Sequence, residues 1–442
     1  MTSATGAGSA PADLPVEALG GEGLAARIAL RNARIRAAAF IGVGIVALYL
    51  ATQAFGVAAS FLFWLNEQGG EAFTFETSVG VLWAVAGVAS IAVGGLHLWR
   101  GAAFRWRPWL IAMLLPWVAA LLATLLAGRP ANLTGVLAGS LELSTPIAMG
   151  ALAGILSERS GMLNIALEGK MLLGACVASI AASVGFIVTG SGPIGSLIGI
   201  VVAMLVAGLV GLLLAWLGIR HKVDQIIAGT VINIGAVGIT NFLFLRILSR
   251  NTQFNTPPTI EPMRIPVLAD IPVIGPILFE ARPYVYVGYI LVIILTYLLF
   301  RTRWGLRLRA SGEKPAAAGT VGINVIAIRY RALFLAGLIA GLAGSYLSLA
   351  TAGSFQIEIS AGKGFIALAA MIFGAWHPVG AFFAALVFGF AGAVQALLSI
   401  LGVDVPPQLL NSVPYIVTIV IVAGVVGRVR GPAAAGQPYE QG

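Results

Sequence analysis

The chain has 442 residues, 59% of them hydrophobic and only 10% charged, with a mean hydropathy of +0.97. That balance excludes an ordinary soluble domain, whose core is covered by charged amphipathic helices, and it excludes a disordered chain, which needs low hydrophobicity. The net charge of +9 does not point to a nucleic-acid partner, because the arginines gather at the ends of apolar runs, where they set membrane topology.

A bilayer-spanning helix needs about 20 apolar residues, and hydrocarbon admits only helices or closed barrels because backbone polar groups must be paired internally. The runs here are long and lack period-two alternation, so the fold class is all-α, a polytopic integral membrane helical bundle. Residues 1–36 read as a flexible tail ending in a basic cluster from Arg27 to Arg36. The apolar run that follows exceeds the ~7–15 residues of a cleaved signal and reads as a retained span.

In chain order the candidate spans are Ala37–Phe61, Ser78–Trp99, Pro108–Gly128, Leu133–Leu156, Leu163–Val188, Pro193–Leu217, Gln225–Leu248, Pro283–Phe300 and Ala332–Thr351. Two more crossings fold into Gly364–Ile400, broken at Trp376-His377-Pro378, and the last is Asn411–Val426, twelve in all. Gly364 to Trp376 is thirteen residues, short for a span, so a short or broken first helix is expected there, with a re-entrant hairpin as the alternative. Most basic residues fall on one side if both termini lie inside, whereas the first outer loop carries Glu67, Glu71 and Glu76. The outer stretch Asn251–Arg282 contains six prolines and reads as a folded surface loop, either a docking face or a mere connection.

Ionisable groups inside spans are costly and face a cavity or a partner. Glu142, Glu168 and Lys170 are of this kind. Asn164 and Glu168, four apart, share a helix face, while Lys170 points elsewhere, with Glu142 as a candidate partner. Asn233 and Asn241, eight apart, share another face. All six residues are candidates for lining a translocation path, and all equally suit helix–helix bonding. Gly150 with Gly154 and Gly337 with Gly341 are small-residue pairs suited to close packing.

The inside stretch Arg301–Arg331 is basic but also patterned: Gly312-Glu313, then Ala317-Ala318, then Gly322. A small-residue helix and glycine turn make a low knob that suits a groove on a cytoplasmic partner; a topology-setting basic loop is the plainer alternative. No phosphate-binding loop, zinc-protease motif or nucleophile elbow occurs, and His97, His221 and His377 are scattered. No metal, cofactor or catalytic residue is therefore expected. Cys176 is the sole cysteine, so no intrachain disulfide forms.

Four segments carry a resemblance: "SERSGMLNIALEGKMLLGA" (157–175), "HKVDQIIAGTVINIGAVGIT" (221–240), "RTRWGLRLRASGEKPAAAGTVGIN" (301–324) and "GKGFIALAAMIFGAWHPVGA" (362–381). In their order the chain resembles permease subunits of bacterial ABC importers of the ribose and branched-chain amino-acid type, nearest the nucleoside branch. The resemblance implies a permease core over 129–430 in the bacterial cytoplasmic membrane; the accessory spans over 37–128 depart from the family pattern, and the charge distribution makes the tails over 1–36 and 431–442 cytoplasmic. The resemblance implies that Gly312, Glu313, Ala317, Ala318 and Gly322 dock on a cytoplasmic ATPase subunit. It also implies a second permease subunit, an extracytoplasmic solute-binding lipoprotein and a small polar solute such as a nucleoside, with ATP hydrolysed elsewhere. The rivals are an importer for a sugar or other solute, and an ion-coupled carrier with Glu142, Glu168 and Lys170 as a proton relay.

Overall fold

The apolar runs form helices throughout the computed structural model, which describes residues 16–66, 71–104, 107–126, 129–402, 409, 412 and 430–439. Nine of the described helices are long and apolar enough to cross a membrane, and two shorter apolar ones, Met113–Leu126 and Lys363–Phe373, accompany them. The expected last span, Asn411–Val426, lies outside the described residues apart from Ser412. Contacts divide the chain into two units, residues 1–61 with 74–131 and residues 62–73 with 132–442.

In the first unit α1 (Val16–Ala54) lies along α2 (Val79–Arg100), and α3 (Arg107–Leu126) packs on α2. Gly44 and Gly87 set the spacing of the first pair: a Cβ on either would come within 2.9 Å of the other's carbonyl oxygen. The Trp83 indole donates to Thr124 Oγ1 at 2.8 Å and that of Trp117 to Ser90 Oγ at 2.9 Å, the two rings meeting edge to face. Each apolar ring thereby keeps its one donor satisfied inside the bundle.

Helix α1 begins at Val16, within the stretch expected to be a flexible tail; the Ala, Leu and Arg content of residues 24–39 favours helix. The chain then forms strands β1 (Ala58–Asn66) and β2 (Glu71–Ser78), where the sequence reading carried the first span on to Phe61. Alternation in "EAFTFETS" and the aromatics of "FLFWL" suit extended backbone.

The second unit contains α4 (Leu133–Glu158), α5 (Leu167–Thr189), α6 (Gly192–Arg220) and α7 (Gln225–Leu243) with a π-helical turn over Phe244–Leu248. The proline-rich loop follows, with a short α8 (Ile274–Leu278). Then come α9 (Pro283–Arg301), α10 (Arg303–Glu313), α11 (Pro315–Thr320), and α12 (Val325–Tyr346) extended by a π-helical turn over Leu347–Ala352. Helices α13 (Lys363–Phe373) and α14 (Pro378–Ile400) close the order.

Helix α12 is central: 83% of the apolar stretch within Val325–Ala352 is buried, against 22% for that within Gln225–Leu248. Since lipid gives helices no hydrophobic reason to associate, close approach of backbones has to hold them. Gly337 and Gly341 of α12 lie against the carbonyls of Ala207 and Ala203 on α6, leaving no room for a Cβ. A Cβ on Gly150 or Gly154 of α4 would meet Ala367 at 2.8 Å or Met371 Sδ at 2.9 Å on α13. Both small-residue pairs read from the sequence are thus contact sites, with different neighbours.

The proline-rich loop is folded. Met263–Arg264 pairs antiparallel with Glu280–Ala281, Arg264 forms an ion pair with Asp270, and the Tyr286 hydroxyl donates to the Met263 carbonyl at 2.8 Å. Helix α13 has only 11 residues, a rise of about 16 Å, roughly half of a hydrocarbon core. It is a half-helix preceded by irregular backbone over residues 353–362.

Replacing Gly341 by Leu should lower the melting temperature of the detergent-solubilised protein, by the equivalent of about 1–3 kcal/mol of overpacking. Gly238→Ala, at an exposed α7 position with open space around it, should leave it unchanged.

Candidate translocation path and coupling segment

The polar stretch from Glu158 to Lys170 covers a break between two helices and the first turn of the second. Helix α4 ends at Glu158, the chain turns through Gly161 at φ +93°, and residues 162–166 run without helical bonds until α5 starts at Leu167. Backbone that leaves the helix inside a membrane protein needs partners from side chains, and α7 supplies them. Leu163 N–H donates to Gln225 Oε1 at 2.7 Å, the Asn233 amide donates to the Ile165 carbonyl at 2.9 Å, and Gly169 N–H donates to Asn233 Oδ1 at 2.8 Å.

The other side chains of this stretch are equally committed. Lys170 Nζ donates to Asn164 Oδ1 at 2.6 Å, both residues being fully buried, while Asn164 Nδ2 has no hydrogen-bond partner. Glu168 accepts from Gly362 N–H at 2.9 Å and from Gly364 N–H at 2.6 Å, so its carboxylate caps the amino-terminal end of α13. Charge and helix dipole agree there. A Cβ on Gly364 would come within 2.5 Å of Glu168 backbone, so only glycine lets the cap form. The carboxylate on the first turn of α5, just after the irregular stretch 162–166, therefore holds the end of the second irregular stretch, 353–362, inside the bundle.

Toward the proline-rich end, Glu142 forms an ion pair with Arg282, the residue that precedes α9. Lys170 and Glu142 consequently do not pair. The Tyr346 hydroxyl donates to the Glu142 carbonyl at 3.0 Å, and Tyr284 Oη lies 2.8 Å from Ser345 Oγ with its ring edge to face with Tyr346. Asn241 does not share the role of Asn233: its Oδ1 is buried without a partner. Asn255, from the proline-rich loop, accepts from Ser179 Oγ at 2.7 Å and Phe355 N–H at 2.8 Å and donates to the Phe355 carbonyl at 2.9 Å. It pins the start of the second irregular stretch. A cavity of about 690 Å³ beside α4 and α14 is lined by Leu137, Tyr289, Phe382, Phe383 and Phe390 among others, too apolar a lining for a polar solute.

At the opposite end α10 and α11 form the knob. Thr302 caps α10, accepting from Gly305 N–H at 3.1 Å, and Pro315 opens α11, where its missing N–H is no loss. Gly312 lies directly on the Arg159 carbonyl, and Ser311 Oγ donates to the Ser160 carbonyl at 3.0 Å. The end of α10 thus rests on the turn that leads into the first irregular stretch. Ala318 is buried beneath the knob, Glu313, Ala317 and Gly322 are exposed, and Gly322 turns the chain at φ +79°.

Around that turn Trp376 Nε1 donates to Glu158 Oε2 at 2.7 Å, and Arg159 Nε donates to the Trp376 carbonyl at 3.2 Å. Burial holds the Arg159 guanidinium below its ordinary pKa, Glu313 opposing and Arg309 adding to the effect. His377 stacks on Phe300 at 4.8 Å, and burial, helped by Arg159, holds it below the usual imidazole value. Ala375 and Trp376 both have positive φ, each left-handed residue costing about 1–2 kcal/mol.

Sequence reasoning passed over Arg282, Gln225 and Arg329. Arg282 had a signal, since it stood among basic residues on the wrong side for topology. Arg329 was counted as one of the loop's topology charges, yet it is 1% exposed. Among the described residues no three His, Cys, Asp or Glu side chains group as a metal site.

A half-helix capped by a carboxylate within a bundle of membrane-length helices, beside a second break in helical backbone, is the build of a membrane transport subunit. The chain belongs to the family described as permease components of branched-chain amino acid transport systems, which it matches over residues 136–423, and it is a permease subunit of an ABC importer. It is 38% identical over 313 residues to the guanosine ABC transporter permease protein NupQ of Bacillus subtilis, covering 70% of this chain and 97% of that one. It is 37% identical over 310 residues to the nucleoside ABC transporter permease protein NupC of Lactococcus lactis, covering 69% and 96%. A putative glucose ABC transporter permease protein of Haloferax volcanii is 29% identical over 331 residues, 70% of this chain and 98% of that one. No solved structure matches the chain.

Glu168→Ala should strip the acceptor from two buried N–H groups, each charge-assisted bond being worth about 1.5–3 kcal/mol. Thermal melting should fall clearly for Glu168→Ala and less for Glu168→Gln, which keeps one acceptor.

Proposed function

We propose that this chain carries a nucleoside-class solute across the cytoplasmic membrane, driven by ATP hydrolysed on a separate cytoplasmic subunit that grips α10 and α11. In this reading a second permease subunit completes the pathway, and an extracytoplasmic lipoprotein delivers the solute at the proline-rich end. Both termini are cytoplasmic. The observation that carries the reading is the seating of Gly312 on the Arg159 carbonyl. A displacement of α10 is passed to that turn, then along residues 162–166 to α5 and, through Glu168, to α13. Access then switches between two packings biased by the nucleotide state, with no bond made or broken in this chain.

The solute class is supported by the guanosine and nucleoside names of two relatives, both above one-third identity. It is supported as well by the chemistry left free along the path. Asn164 Nδ2 and Asn241 Oδ1 are a buried donor and a buried acceptor without partners, and leaving such atoms unsatisfied costs about 1–3 kcal/mol each. A neutral heterocycle with ring donors and acceptors relieves that cost. Glu142, Glu168, Lys170 and Asn233 hold the walls of the same path.

With the complete complex in proteoliposomes, Glu313→Trp or Gly322→Trp should abolish ATP-driven uptake of labelled guanosine while membrane insertion is unchanged. Undiminished uptake, or uptake driven by a proton gradient alone, would reject the coupling assignment. Asn241→Ala should raise the apparent KM for guanosine several-fold without changing basal ATP hydrolysis.

A further inference from the structure

The described residues 430–439, which follow the last apolar run, are not a loose tail. A Cβ on Gly431 would touch the Trp376 indole at 3.0 Å, and Ala434 is buried. The backbone then bonds three elements in succession. Ala433 N–H donates to Glu313 Oε2 at 3.3 Å, Ala434 N–H to the Gly312 carbonyl at 2.9 Å, and Gly436 N–H to the Gly161 carbonyl at 3.2 Å. Arg329 of α12 donates from Nη1 to the Gln437 carbonyl at 3.1 Å and lies 5.9 Å over the Tyr439 ring.

These bonds answer a need of the fold. The last four carbonyls of a helix have no intrahelical donor, and that of Gly312 is one of them; the segment supplies the missing N–H. Gly436 sits at φ +80°, and a Cβ there would strike Leu163 at 2.7 Å, so only glycine passes. Without this segment, α10 meets the Arg159–Gly161 turn through close-packed glycine backbone and one hydroxyl bond from Ser311. Such a contact resists compression, but among the described residues the bond from the Ser311 hydroxyl is the one side-chain hydrogen bond that resists sliding along it. The segment bonds one side of the contact at Gly312, the other at Gly161, and anchors both to α12 through Arg329.

We infer that residues 430–439 form a strap that positions α10 on the α4–α5 turn, so that a stroke delivered to the knob reaches α5 instead of being lost at the contact. Arg329 is its positioning residue. The inference rests on the reading of α10 and α11 as the ATPase contact.

The test uses the complete complex in proteoliposomes with three versions of this chain: truncated after Arg430, Gly436→Val, and Glu313→Trp. Co-purification of the ATPase, ATP hydrolysis and guanosine uptake are measured together. The strap predicts that the truncated chain still holds its ATPase and supports hydrolysis, while uptake per ATP falls about tenfold; Gly436→Val should act in the same direction. Should the truncated chain fail to assemble, Gly436→Val, which keeps every other residue, decides. Unchanged uptake per ATP in the strap variants overturns the strap if Glu313→Trp still abolishes uptake. If Glu313→Trp is also without effect, the ATPase-contact reading fails and the strap with it.

Discussion

Inside hydrocarbon a backbone polar group has nothing to bond except the protein itself, and the architecture of the second unit follows from how this chain meets that constraint where its helices break. Two stretches abandon the helix, residues 162–166 and 353–362, and each is supplied by side chains from elsewhere in the chain. Gln225 and Asn233 serve the first, Asn255 the second, and Glu168 joins the second to α5. Gln225, Asn233, Asn255 and Glu168, polar residues in so oily a sequence, are replacements for missing helical hydrogen bonds. Being specific and few, they also leave these stretches easier to rearrange than a continuous helix.

The second organising element is the absence of side chains. Gly337 and Gly341 bring α12 against α6, Gly150 and Gly154 bring α4 against α13, and Gly312 brings α10 onto the α4–α5 turn. Backbones in such contact transmit displacement with little slack, since packed interiors do not deform continuously. The same closeness ties the knob to the irregular stretch beside it, across a chain distance of about 150 residues (Ser160 to Ser311, for example).

Much of this was legible in advance for physical reasons. Span length and apolarity fix the helices, and spacing of glycines fixes where they touch, so the spans and the small-residue pairs could be read. The half-helix at Gly364–Trp376 showed itself as a run too short to cross. What stayed hidden depended on partners distant in the chain. Nothing near Glu142 reveals that its counter-ion is Arg282 and not Lys170, nor does the sequence around Asn233 reveal that it bonds backbone instead of another side chain. The start of β1 was overrun because an apolar aromatic segment next to a span satisfies both periodicities, and β2 was read as part of the first outer loop. Asn241 and Asn233 show the limit of helical-face reasoning: the same face placed one in a fully bonded site and left the other's oxygen unpaired.

The cap on α13 decides what that helix end can bind. In many carriers the positive end of a half-helix is left open and receives an anionic group of the cargo. Here Glu168 already sits on that end, with both of its oxygens engaged. The first N–H groups of α13 are all bonded within the chain, to Glu168 or to the Ser360 and Gly362 carbonyls, so this end has none to offer an anionic ligand. The carboxylate that steadies the broken helix thus makes this berth an internal one, occupied by the chain itself.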